Sequence, residues 1–105
     1  MAFEIKRNDT LPVFRVEVSG AGDLTGATVR FHMRVRKSTL VLDAAGTHES
    51  YDAGTDTNVL QYAWAAGDTA TAGRFQAEFE TTLDGEVLTT PTNGYHYIFI
   101  YDDLA

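Results

Sequence analysis

The sequence predicts an all-β protein, an antiparallel β-sandwich of about seven to nine short strands. Three observations carry this. Apolar and polar residues alternate in Phe14-Arg15-Val16-Glu17-Val18, from Val29 to Arg36, and from Arg74 to Glu80. That is the pattern of strands with one face on a core and the other in water. No segment keeps a helical period for three turns, and turn residues recur at short intervals, as a sandwich requires.

The elements follow in order, with strands expected near 3–7, 12–19, 27–36, 39–44, 47–52, 58–64, 74–83, 86–90 and 95–101. Leu11-Pro12 favours an extended residue before the proline. Ser19-Gly20-Ala21-Gly22-Asp23 is a turn cluster ahead of the third strand. Asp84-Gly85 lies between two strand-like runs, a strong signal of a two-residue hairpin. Pro91-Thr92-Asn93-Gly94 breaks the chain before the last strand. The 105 residues form a single domain, 1–105, large enough for one modest core.

Bulk properties narrow the function. There is no cysteine, which excludes disulfides and thiolate metal sites. The formal charge of −7 opposes nucleic-acid binding, which needs clustered Lys and Arg. No run has the length of a membrane-spanning helix, and the start MAFEIKRNDT has no apolar signal region, so neither a membrane nor secretion is expected.

Nothing assembles into a catalytic set. Ser19, Ser38 and Ser50 sit in turns or strand ends without a nucleophile elbow. His32, His48 and His96 are scattered and are read as solvent-facing strand residues. Asp52, Asp56 and Asn58 offer oxygens in one loop but not with EF-hand spacing, so they are read as a polar loop with Asx turns. No enzyme activity, cofactor or metal is expected.

Gly67-Asp68-Thr69-Ala70-Thr71-Ala72-Gly73 forms a small-residue corner before the clearest strand. Asp68 is expected to cap a short helical turn over Thr69-Ala70-Thr71, with Ala70 and Ala72 close to the core. Trp64 packs under the corner, and Gly73 permits the backbone reversal into the strand that carries Phe75. An aspartate and small residues before an aromatic strand resemble the corner ahead of strand F in immunoglobulin-like domains. Phe75 takes the place of the corner tyrosine and Ala77 that of the cysteine, so no hydroxyl bond from position 75 is expected.

Two surface stripes stand out. With Val29, Phe31, Met33 and Val35 on the core, Arg30, His32, Arg34 and Arg36 face out together beside Lys37. They either pair with acids such as Glu17, Glu78 and Glu80 or form a docking face for an acidic neighbour. In the last strand, Tyr95, Tyr97, Phe99 and Tyr101 share one parity, and His96, Ile98 and Ile100 share the other. The aromatic side is either an exposed interface or a second buried face.

Taken in order, FEIKRNDTLP, DLTGATVRFHMR, VLQYAWAAGDTATAGRFQAEFE, LDGEVLTTP and YIFIYDDLA resemble small tailed-phage proteins related to the N-terminal domain of phage baseplate upper proteins. The resemblance implies an immunoglobulin-like sandwich in a virion, made in the host cytoplasm. Its role would be attachment in the tail or baseplate, or decoration (cement) on the head. The implied partners are other virion proteins, the major capsid protein among them, or further copies of the chain. A carbohydrate-binding module is the alternative, with Tyr95, Tyr97, Phe99 or Trp64 stacking on host-surface sugars.

Overall fold

The computed structural model describes residues 2–104 as nine strands in two sheets, with no helix among them. The strands are β1 (Ala2–Lys6), β2 (Phe14–Ser19), β3 (Thr28–Arg34), β4 (Leu40–Ala45), β5 (Thr47–Asp52), β6 (Thr57–Tyr62), β7 (Gly73–Leu83), β8 (Glu86–Thr90) and β9 (His96–Tyr101). The larger sheet runs β1-β9-β7-β3-β4, with β8 paired to the far half of β7. The smaller sheet runs β2-β6-β5. These orders match the G-F-C-C′ and B-E-D sheets of a variable-type immunoglobulin sandwich, with β8 inserted between F and G. All pairings are antiparallel except the edge pair β1·β9, which is parallel.

Alternation decides what is buried. Val29, Phe31 and Met33 of β3 face inward with Phe75, Ala77 and Phe79 of β7 and Ile98 and Ile100 of β9. Phe14, Val18, Leu60 and Tyr62 meet them from the smaller sheet. Aromatic rings fill the centre: Phe31 stacks on Tyr62 at 4.6 Å between centroids, and Phe14 lies parallel to Phe79 at 5.8 Å. Such packing is worth more than its buried area alone. Val35 departs from the expected core face. β3 ends at Arg34, the Ser38 N–H bonds to the Val35 carbonyl in a tight turn, and Val35 is 47% exposed.

Three local devices set the geometry. Asp84 and Gly85 both have positive φ, 52° and 81°, as a two-residue hairpin turn of the primed type requires. Gly46 is the single residue between β4 of one sheet and β5 of the other. A Cβ there would lie 3.0 Å from the Gln61 carbonyl oxygen and 3.0 Å from Val29, so the crossing needs glycine for lack of space. Gly73 opens β7 at φ 150°, where a side chain would be strained, although the space beside it is open to ordinary contact.

The corner is built differently from the sequence reading. Asp68 does not cap the residues after it. Its carboxylate reaches back, accepting from the Ala65 N–H at 2.8 Å and from the Tyr62 hydroxyl. Burial, then the Asp68 bond, pushes the Tyr62 phenol well above its ordinary pKa, so it stays a donor. The hydroxyl bond that Phe75 cannot make thus comes from β6. Ala70 is exposed and Ala72 only partly covered. Thr69 is the buried corner residue instead, its hydroxyl donating to the Asp9 carbonyl at 2.8 Å. Trp64 lies in the core at 5% exposure, edge-on to Phe31 and Tyr62.

Candidate functional site

The outer face of the larger sheet brings the two expected stripes together. On β9, Ile98 and Ile100 point into the core, which turns Tyr97, Phe99 and Tyr101 outward. Tyr97, at 45%, and Tyr101 are exposed, and Phe99 is half-buried. Tyr95, just before the strand, is also exposed. The aromatic stripe is therefore surface.

Register supplies the basic component. Across β9 and β7, Tyr97 lies opposite Gln76 and Phe99 opposite Arg74. Across β7 and β3, Gln76 lies opposite Arg34. The Arg34 guanidinium donates to Gln76 Oε1 at 3.2 Å and to the Tyr95 hydroxyl at 3.0 Å. Its central carbon is 5.1 Å from the Tyr95 ring centroid, and that of Arg74 is 5.4 Å from the Phe99 ring. These contacts hold the arginines over aromatic faces, where cation–π attraction contributes and the guanidinium keeps donors free.

Between these residues runs a groove of about 680 Å³, lined by Arg36, Arg74, Phe75, Gln76, Gly94, Tyr95, Tyr97 and Phe99. No carboxylate is among the lining residues. Arg34 stands behind Tyr95 as a support. Tyr101 lies at the edge, its ring 6.4 Å from Phe99 and its hydroxyl donating to Glu4 at 3.0 Å. That bond raises the Tyr101 pKa.

Arg30 is separated from this group. Its guanidinium donates to Asp43 of β4 at 2.8 Å and 3.1 Å, and it sits opposite Glu80 of β7. His32 Nε2 lies 3.3 Å from the same Asp43 carboxylate, whose pKa is held down chiefly by the Arg30 bond. The basic stripe therefore divides. Its start pairs with acid, through Asp43 rather than Glu17, while Arg34 and Arg36 join the aromatics.

Other expected positions fall elsewhere. His96 is not solvent-facing: it shares the inward parity of Ile98 and Ile100, and its ring lies 5.5 Å from Phe14. His48 is partly buried and bonds to Asn58 Oδ1 at 2.8 Å. Asp56 and Asn58 hold the β2–β3 loop. Asp56 accepts from the Gly22 N–H and the Tyr51 hydroxyl, and Asn58 accepts from the Leu24 N–H and donates to the Gly22 carbonyl. Asp52 accepts from the Gly54 N–H, an Asx turn. Trp64 is buried, so no sugar can stack on it.

Arg74, with Gln76 and Gly94, lines the groove but belongs to neither of the two stripes legible in the sequence. Its place beside Phe99 depends on the β7–β9 register, which no local pattern encodes. The only signal was its parity, shared with the outward Gln76, Glu78 and Glu80. No protein-family model, curated protein or solved structure matches the chain, so the groove is assigned by its own chemistry alone.

Proposed function

We propose that this chain is a non-catalytic attachment module, a structural protein of a tailed-phage virion, which docks through the outer face of its larger sheet. One observation carries the docking part: the basic and aromatic stripes meet in a single groove. Tyr, Phe and Arg are the residue types that anchor protein interfaces. A groove of arginine, aromatic and amide side chains offers recognition and no nucleophile–base pair. The virion part is supported by the ordered segments from FEIKRNDTLP to YIFIYDDLA. Tail or baseplate and head surface are its two possible locations.

The test is a double substitution, Tyr97→Ser with Phe99→Ser. The isolated domain should still fold: Tyr97 is exposed, where a substitution changes stability by only about 0.5 kcal/mol, and Phe99, though half-buried, lies on the outer face away from the core. Incorporation into purified particles should fall to background. Immunogold labelling of wild-type particles then places the chain on head or tail. Full incorporation of the double variant would sink the proposal. Binding of the isolated domain to host-surface glycans would move the groove to the carbohydrate-binding alternative.

A further inference from the structure

We infer that the groove's occupant is a second copy of this chain, presenting the acidic loop end of its own sandwich in a head-to-tail contact. The inference rests on the groove being a docking face and names what docks. Charge is unevenly placed along the molecule. The loops at one end, 19–27, 52–57 and 84–86, carry Asp23, Asp52, Asp56, Asp84 and Glu86 and no Lys or Arg. They belong to one end because Ser19 pairs with Thr57, Thr28 pairs with Thr82, and the Gly20 N–H bonds to the Asp56 carbonyl. The Tyr51 phenol is pushed up by its Asp56 bond first, with Asp23 and Asp52 adding to it, as a concentration of negative charge would do.

The groove lies toward the opposite end, at the start of β7. The eleven residues of β7 separate Arg74 from Asp84 by about 33 Å at the usual strand rise. One copy therefore cannot fill its own groove. At physiological ionic strength, with a Debye length of about 8 Å, its two ends do not screen each other either. Each end keeps an unspent field, and the two fields are complementary.

The apolar surfaces match as well. Val87, exposed on β8 next to Glu86, stands beside a hollow of about 400 Å³ lined by Ala21, Leu24, Leu83 and Leu88 together with Asp84 and Glu86. An acidic tip with an apolar flank is the counterpart of a basic groove with aromatic walls. The two surfaces differ, so the contact is heterologous, and repeating it generates a ring or a filament rather than a closed pair.

Sedimentation velocity on the full chain tests this. At about 0.02 M salt the wild type should associate with rising concentration, and at about 0.5 M it should be monomeric, because screening removes the attraction. Two variants should be monomeric at both: Arg36→Glu with Arg74→Glu in the groove, and Asp84→Asn with Glu86→Lys at the tip. Asparagine tolerates the positive φ at position 84, and circular dichroism checks that both variants are folded. Mixing them should restore association, since the tip variant keeps the basic groove and the groove variant keeps the acidic tip, and these two unaltered surfaces can then meet.

A wild type that stays monomeric at low salt would overturn the inference, as would a groove variant that associates like the wild type or a mixture that stays monomeric. If the wild type is monomeric while the groove variant is excluded from particles, self-docking fails and attachment stands. If the groove variant also enters particles normally, both fail.

Discussion

Along β7 and β9, alternate residues of the same two strands have opposite surroundings. Phe75, Ala77, Phe79, Ile98 and Ile100 are buried, while Arg74, Gln76, Tyr97 and Phe99 form the groove on the other side. The inner set is explained by folding: each member removes apolar surface from water against the smaller sheet. The outer set is not. Among the described residues, Tyr97 makes no side-chain hydrogen bond, and Arg74 makes no side-chain hydrogen bond or ion pair and lies over the Phe99 ring. A sheet face that needed only solubility would carry the charges and hydroxyls seen at Glu78, Glu80 and Thr82. The comparison separates residues kept for the fold from residues available for a partner.

The sharpest way to break the comparison is at its inner extreme. Phe79 is 0% exposed and packs against both Phe14 and Phe31. Phe79→Ala should cost about 3–5 kcal/mol, the transfer loss plus the cavity left behind. That is a large share of the roughly 5–15 kcal/mol typical of a domain. Urea denaturation should show a midpoint shifted far below the wild type. A shift as small as that of Tyr97→Ser would mean that the two faces are not energetically distinct.

Next in size is the crossing between the sheets. Gly46→Ala places a methyl group 3.0 Å from the Gln61 carbonyl and 3.2 Å from Phe79. The carbonyl belongs to a paired strand and cannot swing away, so the cost should be about 1–3 kcal/mol of strain. Thermal unfolding should show it as a lower Tm with unchanged groove function. An unchanged Tm would show that the two sheets can slide apart at this point.

Much of this was legible in the sequence. All nine strands were expected within a few residues, because period-two alternation and turn residues are local signals. The errors are those of non-local geometry. Val35 continued the alternation of β3 by one residue, but the turn through Ser38 closed first. Asp68 looked like a cap for Thr69-Ala70-Thr71. Its true partners lie upstream, the Ala65 N–H and the hydroxyl of Tyr62, six residues back on β6. Gly46 lies in the short gap between the strands expected near 39–44 and 47–52, and nothing local reveals that β4 and β5 lie in different sheets. The groove was half legible: both stripes were visible, but their meeting, with Arg74 between them, depends on a register set by the packing of the whole sandwich.

His96 gives the finest test, because it sits where the inner face runs out. It has the inward parity, yet it lines a hollow that opens between β1 and β2 beside Arg15 and Glu17. Burial against Phe14 lowers its pKa from the ordinary 6.5. The unfolded chain therefore takes up a proton at higher pH than the folded one. The stability gained by keeping His96 neutral is fully present above the unfolded value. It is lost progressively as the pH falls below about 6.5 and through the lower folded value. Wild type and His96→Gln should then differ in slope, the wild type losing more stability between about pH 7 and pH 5. His32 and His48 are common to both proteins and cancel in the difference. The effect should be the smallest of the three, since the imidazole keeps partial access to water that screens its charge. An imidazole titration by NMR with a midpoint at or above 6.5 would show that the hollow leaves His96 solvated, so that the buried face of β9 begins only at Ile98.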